Sequence, residues 1–104
     1  MTIYCYDTEF LEDGHTIDLI SIGIVCEDGR EYYAINADAD WDRIREDYWL
    51  MENVVVHLPT HSTGQVKKRT GFGERGWRWG GINMRDSRVK PKWVIANEVR
   101  DFLL

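Results

Sequence analysis

Two acids spaced two residues apart lie near the start of the chain. Asp7 and Glu9 belong to the stretch IYCYDTEF, which is otherwise β-branched and aromatic. Acids are poor strand formers, so a pair of them in such a run needs a reason. Because strand side chains alternate between faces, both carboxylates point to one side, with Cα atoms about 6.5–7 Å apart. Such a pair can bind a divalent cation, or a pair of cations, which would relieve the repulsion between the carboxylates. The alternative is an edge strand with two solvated acids.

A second candidate is a basic stretch in the other half of the chain. Between residues 67 and 88, aromatic side chains are interleaved among basic ones: Lys67, Lys68, Arg69, Phe72, Arg75, Trp77, Arg78, Trp79, Arg85 and Arg88. Basic groups follow phosphates, and flat rings stack on unpaired bases, so this stretch is a candidate for nucleic-acid contact. Arg75, Arg78 and Trp79 are the residues we expect to make it. The alternative is a solvated loop whose tryptophans pack back on the sheet.

Charge is divided unevenly along the 104 residues. Residues 1–60 carry 14 acids and 3 bases, whereas residues 61–104 carry 4 acids and 10 bases. This division suits a protein that holds cations with one part and phosphates with the other. It is equally compatible with two halves that neutralise each other in the fold.

The compartment is indicated by what the sequence does not contain. It has no run of 18 apolar residues and no basic-then-apolar leader, so we expect a cytoplasmic protein with no membrane partner. Cys5 and Cys26 lie in apolar runs, which favours two reduced thiols packed in a core over a disulfide.

The acids must be positioned by a small sheet. Strand patterns cover residues 2–10, 16–26 and 31–36. The second is a nearly continuous apolar run, typical of a strand covered on both faces. Asp28-Gly29 is a dipeptide favoured in hairpin turns, and Asp13-Gly14 precedes the second strand. The three strands should therefore form an antiparallel meander.

Two helices are predicted after the meander. The first covers residues 41–56, with Asp38 or Asp40 as its cap and an apolar stripe formed by Ile44, Tyr48, Met51 and Val55. The second covers residues 91–104. Residues 60–90 are glycine-rich, basic and aperiodic, so we expect a long basic loop. The prediction is one domain, residues 1–104, of the α/β or layered α+β class.

The acidic motif and the meander together resemble a known family. Asp7-Thr8-Glu9-Phe10 followed by LEDGHTIDLISIGIVCEDGREYYAIN resembles the first motif and opening meander of the DEDD superfamily of 3′–5′ exonucleases, which have a ribonuclease H-like fold. The likeness is greatest to the small exoribonuclease family of the mycobacterial type, related to ribonuclease T. WLMENVVVHLP, at residues 49–59, and KWVIANEVRDFL, at residues 92–103, are similar to later parts of that family.

This resemblance implies two-metal hydrolysis of a 3′-terminal phosphodiester, which releases nucleoside 5′-monophosphates. Four acids of the family hold two Mg²⁺ or Mn²⁺ ions, and Asp7 and Glu9 match the first two. Phe10 and the backbone around Thr8 match the place that receives the terminal nucleotide. The implied substrate is single-stranded RNA or a 3′ overhang, with DNA as an alternative. A second copy of the chain is a further candidate partner.

The chain departs from the family pattern in one respect. No residue matches the third acid, or the fourth acid with its preceding histidine. We therefore expect the N-terminal portion of such a nuclease, with little or no activity by itself. The alternatives are a non-catalytic nucleic-acid-binding module on a degenerate nuclease fold, and an interaction module that completes its sheet on a partner.

Overall fold

The computed structural model describes residues 2–12, 14, 16–59, 67–68, 77–78 and 81–104. The chain divides into two compact units, one comprising Met1–Ala39 with Ser87–Leu104 and the other Asp40–Asp86. In chain order the elements are β1 (Tyr4–Glu12), β2 (Ile17–Cys26), β3 (Glu31–Asn36), α1 (Trp41–Glu46), α2 (Tyr48–Asn53), a 3₁₀ turn (Val55–His57), β4 (Lys67–Lys68), β5 (Trp77–Arg78), β6 (Val89–Lys90) and α3 (Lys92–Leu103).

The first unit is built on the predicted meander, which is confirmed. β1 pairs with β2 and β2 with β3, both antiparallel. The turn between β2 and β3 has Gly29 at φ 92°, a left-handed conformation that glycine adopts without steric cost. Its ends are joined by the Cys26 N–H, which donates to the Arg30 carbonyl at 2.8 Å. The Asp28-Gly29 dipeptide thus closes the hairpin that its type predicts.

A fourth strand extends the sheet where the sequence predicted only loop. β6 pairs in parallel with β3, so that the sheet order is β1-β2-β3-β6. The Ile35 N–H donates to the Arg88 carbonyl at 2.8 Å, and the Ala37 N–H to the Lys90 carbonyl at 2.9 Å. The prediction of one continuous loop over residues 60–90 is therefore wrong at β6, as it is at the paired strands β4 and β5. A strand of two residues is too short to show an alternating pattern, which is why the sequence did not reveal it.

Helix α3 follows β6 directly and confirms the second predicted helix. Pro91 precedes its first residue, and the Lys92 N–H donates to Asp38 Oδ2 at 2.9 Å. Its apolar stripe includes Ile95, which is buried, and Phe102, whose ring centroid lies 6.0 Å from that of Tyr4 and of Tyr32. These contacts place α3 on the sheet face that carries Tyr4 and Tyr32.

The second unit begins with two short helices where one helix over residues 41–56 was predicted. Asp40 caps α1, since its Oδ1 accepts from the Arg43 N–H at 3.2 Å. The predicted helix is interrupted at Asp47, whose backbone is extended and whose Oδ1 accepts from the Leu50 N–H at 3.0 Å. The continuous helix is thus wrong, because Asp47 starts a new helix by capping it.

The predicted apolar stripe still supplies much of this unit's core. Ile44, Met51 and Val55 are fully buried, whereas Tyr48, the fourth member, is 48% exposed. β4 and β5 form a separate two-stranded antiparallel sheet. Both units together give a mixed α+β fold with a four-stranded mixed sheet, compatible with a ribonuclease H-like fragment. No helix in the described part of the chain is long and apolar enough to span a membrane.

Candidate active site

Strand β1 positions the two acids. Asp7 is opposite Gly23 of β2, and Glu9 is opposite Ser21, in an antiparallel ladder without irregularity up to Glu9. Residues two apart on a regular strand share a face, so the two carboxylates emerge on one side of the sheet. The register therefore gives the placement that alternation predicted.

The surroundings of the two acids differ. Asp7 is exposed, whereas Glu9 is half-buried beside Ser21, of which only 5% is exposed. β1 lies at one edge of the four-stranded sheet, and its single neighbour in that sheet is β2. Edge strands accommodate charged side chains at little cost, because water reaches them. The placement is thus compatible both with a metal site and with two solvated acids.

A groove lies beside Asp7 on the same sheet face. It has a volume of about 620 Å³, and its lining includes Cys5, Asp7, Gly23, Val25, Glu31 and Tyr33. Val25 is 48% exposed and Tyr33 41%. Strand β2 was predicted to be covered on both faces, but at Val25 its groove side is open.

The groove also corrects the expectation for the cysteines. Both thiols are free, as predicted. Cys26 is buried as expected, whereas Cys5 is exposed. Cys5 lies two residues before Asp7 on the open groove face, and no described element covers it there. An apolar run thus identified a strand but not which of its faces would be covered.

The donor set at Asp7 and Glu9 suits a hard divalent cation. Carboxylate oxygens are the ligands that Mg²⁺ and Mn²⁺ prefer, and water or phosphate commonly completes their coordination. Within the described residues, no three side chains of histidine, cysteine, aspartate or glutamate form a cluster that could hold a metal. The two carboxylates therefore fit one partly hydrated ion better than a pair of ions.

The opposite face of the sheet carries a polar cluster that the sequence did not predict. Glu98 of α3 accepts from Lys90 Nζ at 2.6 Å and from the Tyr32 hydroxyl at 3.0 Å. The hydrogen bond from Lys90 is the main cause that holds the pKa of Glu98 below its usual value. Burial, followed by the contact with Glu98, raises the pKa of Tyr32. These contacts fasten α3 to the sheet and take no part in the acidic site.

A second charged cluster lies at the β2–β3 turn. Arg30 Nε donates to Asp28 Oδ2 at 2.8 Å, and the Arg30 guanidinium carbon lies 5.1 Å from the centroid of the Phe102 ring. The backbone and side-chain hydrogen bonds from Arg30 lower the pKa of Asp28, while the bond to Asp28 raises the pKa of Arg30. This pair connects the turn to the end of α3.

The other predicted site residues are placed as follows. Thr8 lies between the two acids in sequence, so its half-buried side chain points to the opposite face. Phe10 is 41% exposed and follows an irregularity in the ladder between Glu9 and Phe10. Arg75 and Trp79 lie outside the described residues. Arg78 belongs to β5, and only its backbone is described.

Sequence reasoning missed the groove residues Gly23 and Tyr33. The signal that could have found them is the Asp28-Gly29 turn, which fixes the register of β2 against β3 and so brings Gly23 beside Tyr33. Counting outward from that turn would have paired Gly23 with Tyr33.

Comparison with known proteins supports the resemblance seen in the sequence. No family model matches the chain. Over 56 residues the chain is 57% identical to a 3′–5′ exoribonuclease of Mycobacterium tuberculosis strain CDC 1551, and equally to one of strain H37Rv. The match covers 54% of this chain and 32% of each relative, so the chain spans about a third of the length of the curated relatives it matches. Over about half of its length, the chain is therefore similar to part of a mycobacterial 3′–5′ exoribonuclease, as its acidic motif and meander indicated.

Proposed function

We propose that this chain provides the first metal-binding strand of a 3′–5′ exoribonuclease. The observation that carries the proposal is that Asp7 and Glu9 share one face of β1 in a chain 57% identical, over 56 residues, to proteins named 3′–5′ exoribonucleases. The groove beside Asp7 supports it, because a metal on β1 would have room for a substrate next to it.

In the proposed site, Asp7 and Glu9 would hold Mg²⁺ or Mn²⁺ against the 3′-terminal phosphodiester of RNA. When bound, such ions activate the attacking water and stabilise the leaving 3′ oxygen. The two carboxylates would neutralise part of the charge of the ion and hold the ion on β1. The exposed Asp7 would lie on the side of the ion that faces the substrate. The half-buried Glu9 would bind the ion from the sheet side. The product is a nucleoside 5′-monophosphate.

Metal binding is the direct test of this site. A titration of the ¹⁵N-labelled chain with Mn²⁺ should broaden the amide signals around Asp7 and Glu9 first. Asp7→Asn should weaken Mn²⁺ binding by tenfold or more, which corresponds to about 1.4 kcal/mol. Glu27→Gln removes one charge from an exposed acid of the same unit and is the matched control. Equal Mn²⁺ affinity in Asp7→Asn and the control would contradict the proposal.

The catalytic capacity of these 104 residues is a separate matter. Two carboxylates hold a pair of ions poorly, so we expect little or no release of mononucleotides from RNA 3′ ends by the purified chain. The measurement is a time course of product formation with Mn²⁺ present. Robust Mn²⁺-dependent release that disappears in Asp7→Ala would show that the two acids suffice.

RNA contact by the basic stretch belongs to the same proposal. Basic side chains neutralise phosphates, and tryptophan stacks on bases, so affinity should depend on salt. Changing Arg75, Arg78 and Trp79 to alanine should weaken binding of single-stranded RNA and reduce its salt dependence. Unchanged affinity and an unchanged salt slope would contradict the assignment. RNA binding that persists in Asp7→Asn without any metal affinity would favour a non-catalytic binding module.

A further inference from the structure

The ladder between β1 and β2 is interrupted once, directly after Glu9. Glu9 is opposite Ser21. The next pair, however, is Phe10 with Leu19, which leaves Ile20 without a partner on β1. An extra residue of this kind is a β-bulge, which bends the strand locally and changes the direction of neighbouring side chains. The bulge on β2 therefore lies where it can determine how the carboxylate of Glu9 leaves the sheet.

A bulge disrupts ladder hydrogen bonds, and the side chain of Asn36 replaces one of them. Its Nδ2 donates to the Leu19 carbonyl at 2.8 Å, and its Oδ1 accepts from the Asp38 N–H at 3.0 Å. The ladder between β2 and β3 ends at the pair of Ser21 and Ile35. The amide of Asn36 thus continues the link between β2 and β3 beyond the ladder, on the residue that follows Ile20 toward the start of β2.

Asn36 is itself held in place. It is fully buried, with 0% of its surface exposed. A buried polar group without partners costs free energy, so burial favours the orientation in which both ends of the amide are bonded. Asp38, which binds the acceptor end, accepts through its Oδ2 from the Lys92 N–H at the start of α3. The bulge is therefore connected through one buried amide to the turn after β3 and to α3.

We propose that Asn36 is a positioning residue for the metal site: its amide fixes the bulge on β2, and the bulge sets the direction of Glu9. The inference rests on the proposed function, since it takes Glu9 as a metal ligand. Asp7 lies two residues earlier, where the ladder is regular, so its direction follows from strand alternation. Loss of the Asn36 amide should therefore disturb Glu9 and leave Asp7 in place.

The chemistry of the amide provides the variants. An amide donates with its NH₂ group and accepts with its oxygen, and Asn36 uses both ends. Leucine has a similar shape but neither group, so Asn36→Leu removes both bonds with little change in volume. Asp38→Ala is the matched control, because it removes the bond to the Lys92 N–H. It keeps the Asp38 backbone N–H, and with it both bonds of Asn36.

The test measures the affinity of the whole chain for Mn²⁺ by electron paramagnetic resonance of the free ion. Asn36→Leu should weaken Mn²⁺ binding by about tenfold, the size usual when a group that orients a metal ligand is lost. Asp38→Ala should bind Mn²⁺ as tightly as the unchanged chain. Circular dichroism checks that each variant is folded.

A double-mutant cycle shows whether Asn36 acts through Glu9. Asn36→Leu should weaken Mn²⁺ binding as much in Asp7→Asn as in the unchanged chain, because Glu9 is still present there. In Glu9→Gln it should have no further effect, since the carboxylate that depends on the bulge is already absent. A merely structural role would weaken binding in both backgrounds alike.

A measurement on the unchanged chain does not depend on the folding of any variant. The side-chain NH₂ protons of Asn36 should exchange with solvent far more slowly than those of the exposed Asn97, because the Leu19 carbonyl holds them. If Asn36→Leu does not fold, Asn36→Ser takes its place in the cycle, since its side chain is too short to reach both partners.

Each outcome decides the inference. A loss of Mn²⁺ affinity in Asn36→Leu that disappears in Glu9→Gln, with slow exchange at Asn36, supports it. Unchanged Mn²⁺ affinity in Asn36→Leu, or an equal loss in the Glu9→Gln background, would overturn it and leave the proposed function standing. The same holds for a comparable loss in Asp38→Ala, and for exchange at Asn36 as fast as at Asn97. Absence of Mn²⁺ binding by the unchanged chain would remove both proposals together.

Discussion

The two faces of the first unit's sheet are built from the same strands but have different roles. One face is covered by α3, where Phe102 packs against Tyr4 and Tyr32, and Glu98 receives hydrogen bonds from Lys90 and Tyr32. The other face carries Asp7 and the open groove. Adjacent residues of one strand thus alternate between the face that packs against α3 and the face that carries the groove.

This difference shows how β1 can carry two acids while the sheet stays folded. The alternation of side chains assigns every second residue to the covered face, so Ile24 and Cys26 are buried there, whereas Val25 between them is exposed. The packing against α3 depends on the residues of the covered face. Residues of the groove face are therefore less constrained by that packing. Substitutions at adjacent positions should therefore have very different consequences.

The largest expected effect is on folding, at adjacent positions of β2. Ile24→Ala should reduce the free energy of unfolding by about 2–5 kcal/mol, because Ile24 is 3% exposed and its removal leaves a cavity. Val25→Ala should cost less than about 1 kcal/mol, since Val25 is 48% exposed. Urea unfolding followed by circular dichroism measures both. Similar losses in the two variants would mean that the groove face is covered as well.

A smaller effect concerns the charge of Glu98. The pKa of Glu98 is lowered in the folded protein, mainly by the hydrogen bond from Lys90, so the ionised form stabilises the fold. That contribution is complete above the ordinary pKa of 4.5 and is lost as the pH falls through the lower folded-state pKa. Glu98→Gln should lower the Tm only slightly at pH 7, because solvent screens this partly exposed ion pair.

The pH profile of that variant separates charge from packing. Below pH 4.5 the Tm difference between Glu98→Gln and the unchanged chain should shrink as the pH falls through the lower folded-state pKa of Glu98, because its carboxyl then becomes neutral like the glutamine amide. The glutamine carbonyl can still accept from the Tyr32 hydroxyl, so this contact is retained in the variant. Thermal unfolding at pH 7, 5 and 3 provides the measurement. A difference that stays constant over this range would assign the effect to packing.

The smallest effect is expected at the end of α3. The Tyr4 hydroxyl donates to the Leu103 carbonyl at 3.4 Å in an exposed position. Tyr4→Phe should therefore change the free energy of unfolding by less than about 0.5 kcal/mol, since the ring contact with Phe102 remains. Tyr4→Ala removes the ring and should cost measurably more in the same urea experiment. If Tyr4→Phe were as damaging as Tyr4→Ala, the hydrogen bond and not the ring would hold this end of the helix.

Much of the first unit could be predicted because its signals are local. The Asp28-Gly29 turn and the alternation in β1 specify the meander and put Asp7 and Glu9 on one face. The second unit was predicted less well. Three of the four residues in its predicted apolar stripe are buried. Asp47, however, could lie inside a helix or cap one, and the sequence did not indicate which of the two it would do.

The amino-acid sequence by itself determined the acidic pair, the strand that carries it and the resemblance to exoribonucleases. These depend on residue type and on spacings of a few residues, which short-range geometry translates into a common face. Only the tertiary structure decided that β6 pairs with β3, that α3 covers one face, and that the Asn36 amide bonds to the Leu19 carbonyl beside the bulge. Such features depend on contacts between residues distant in the chain, and no local preference encodes which face of a strand another element will cover.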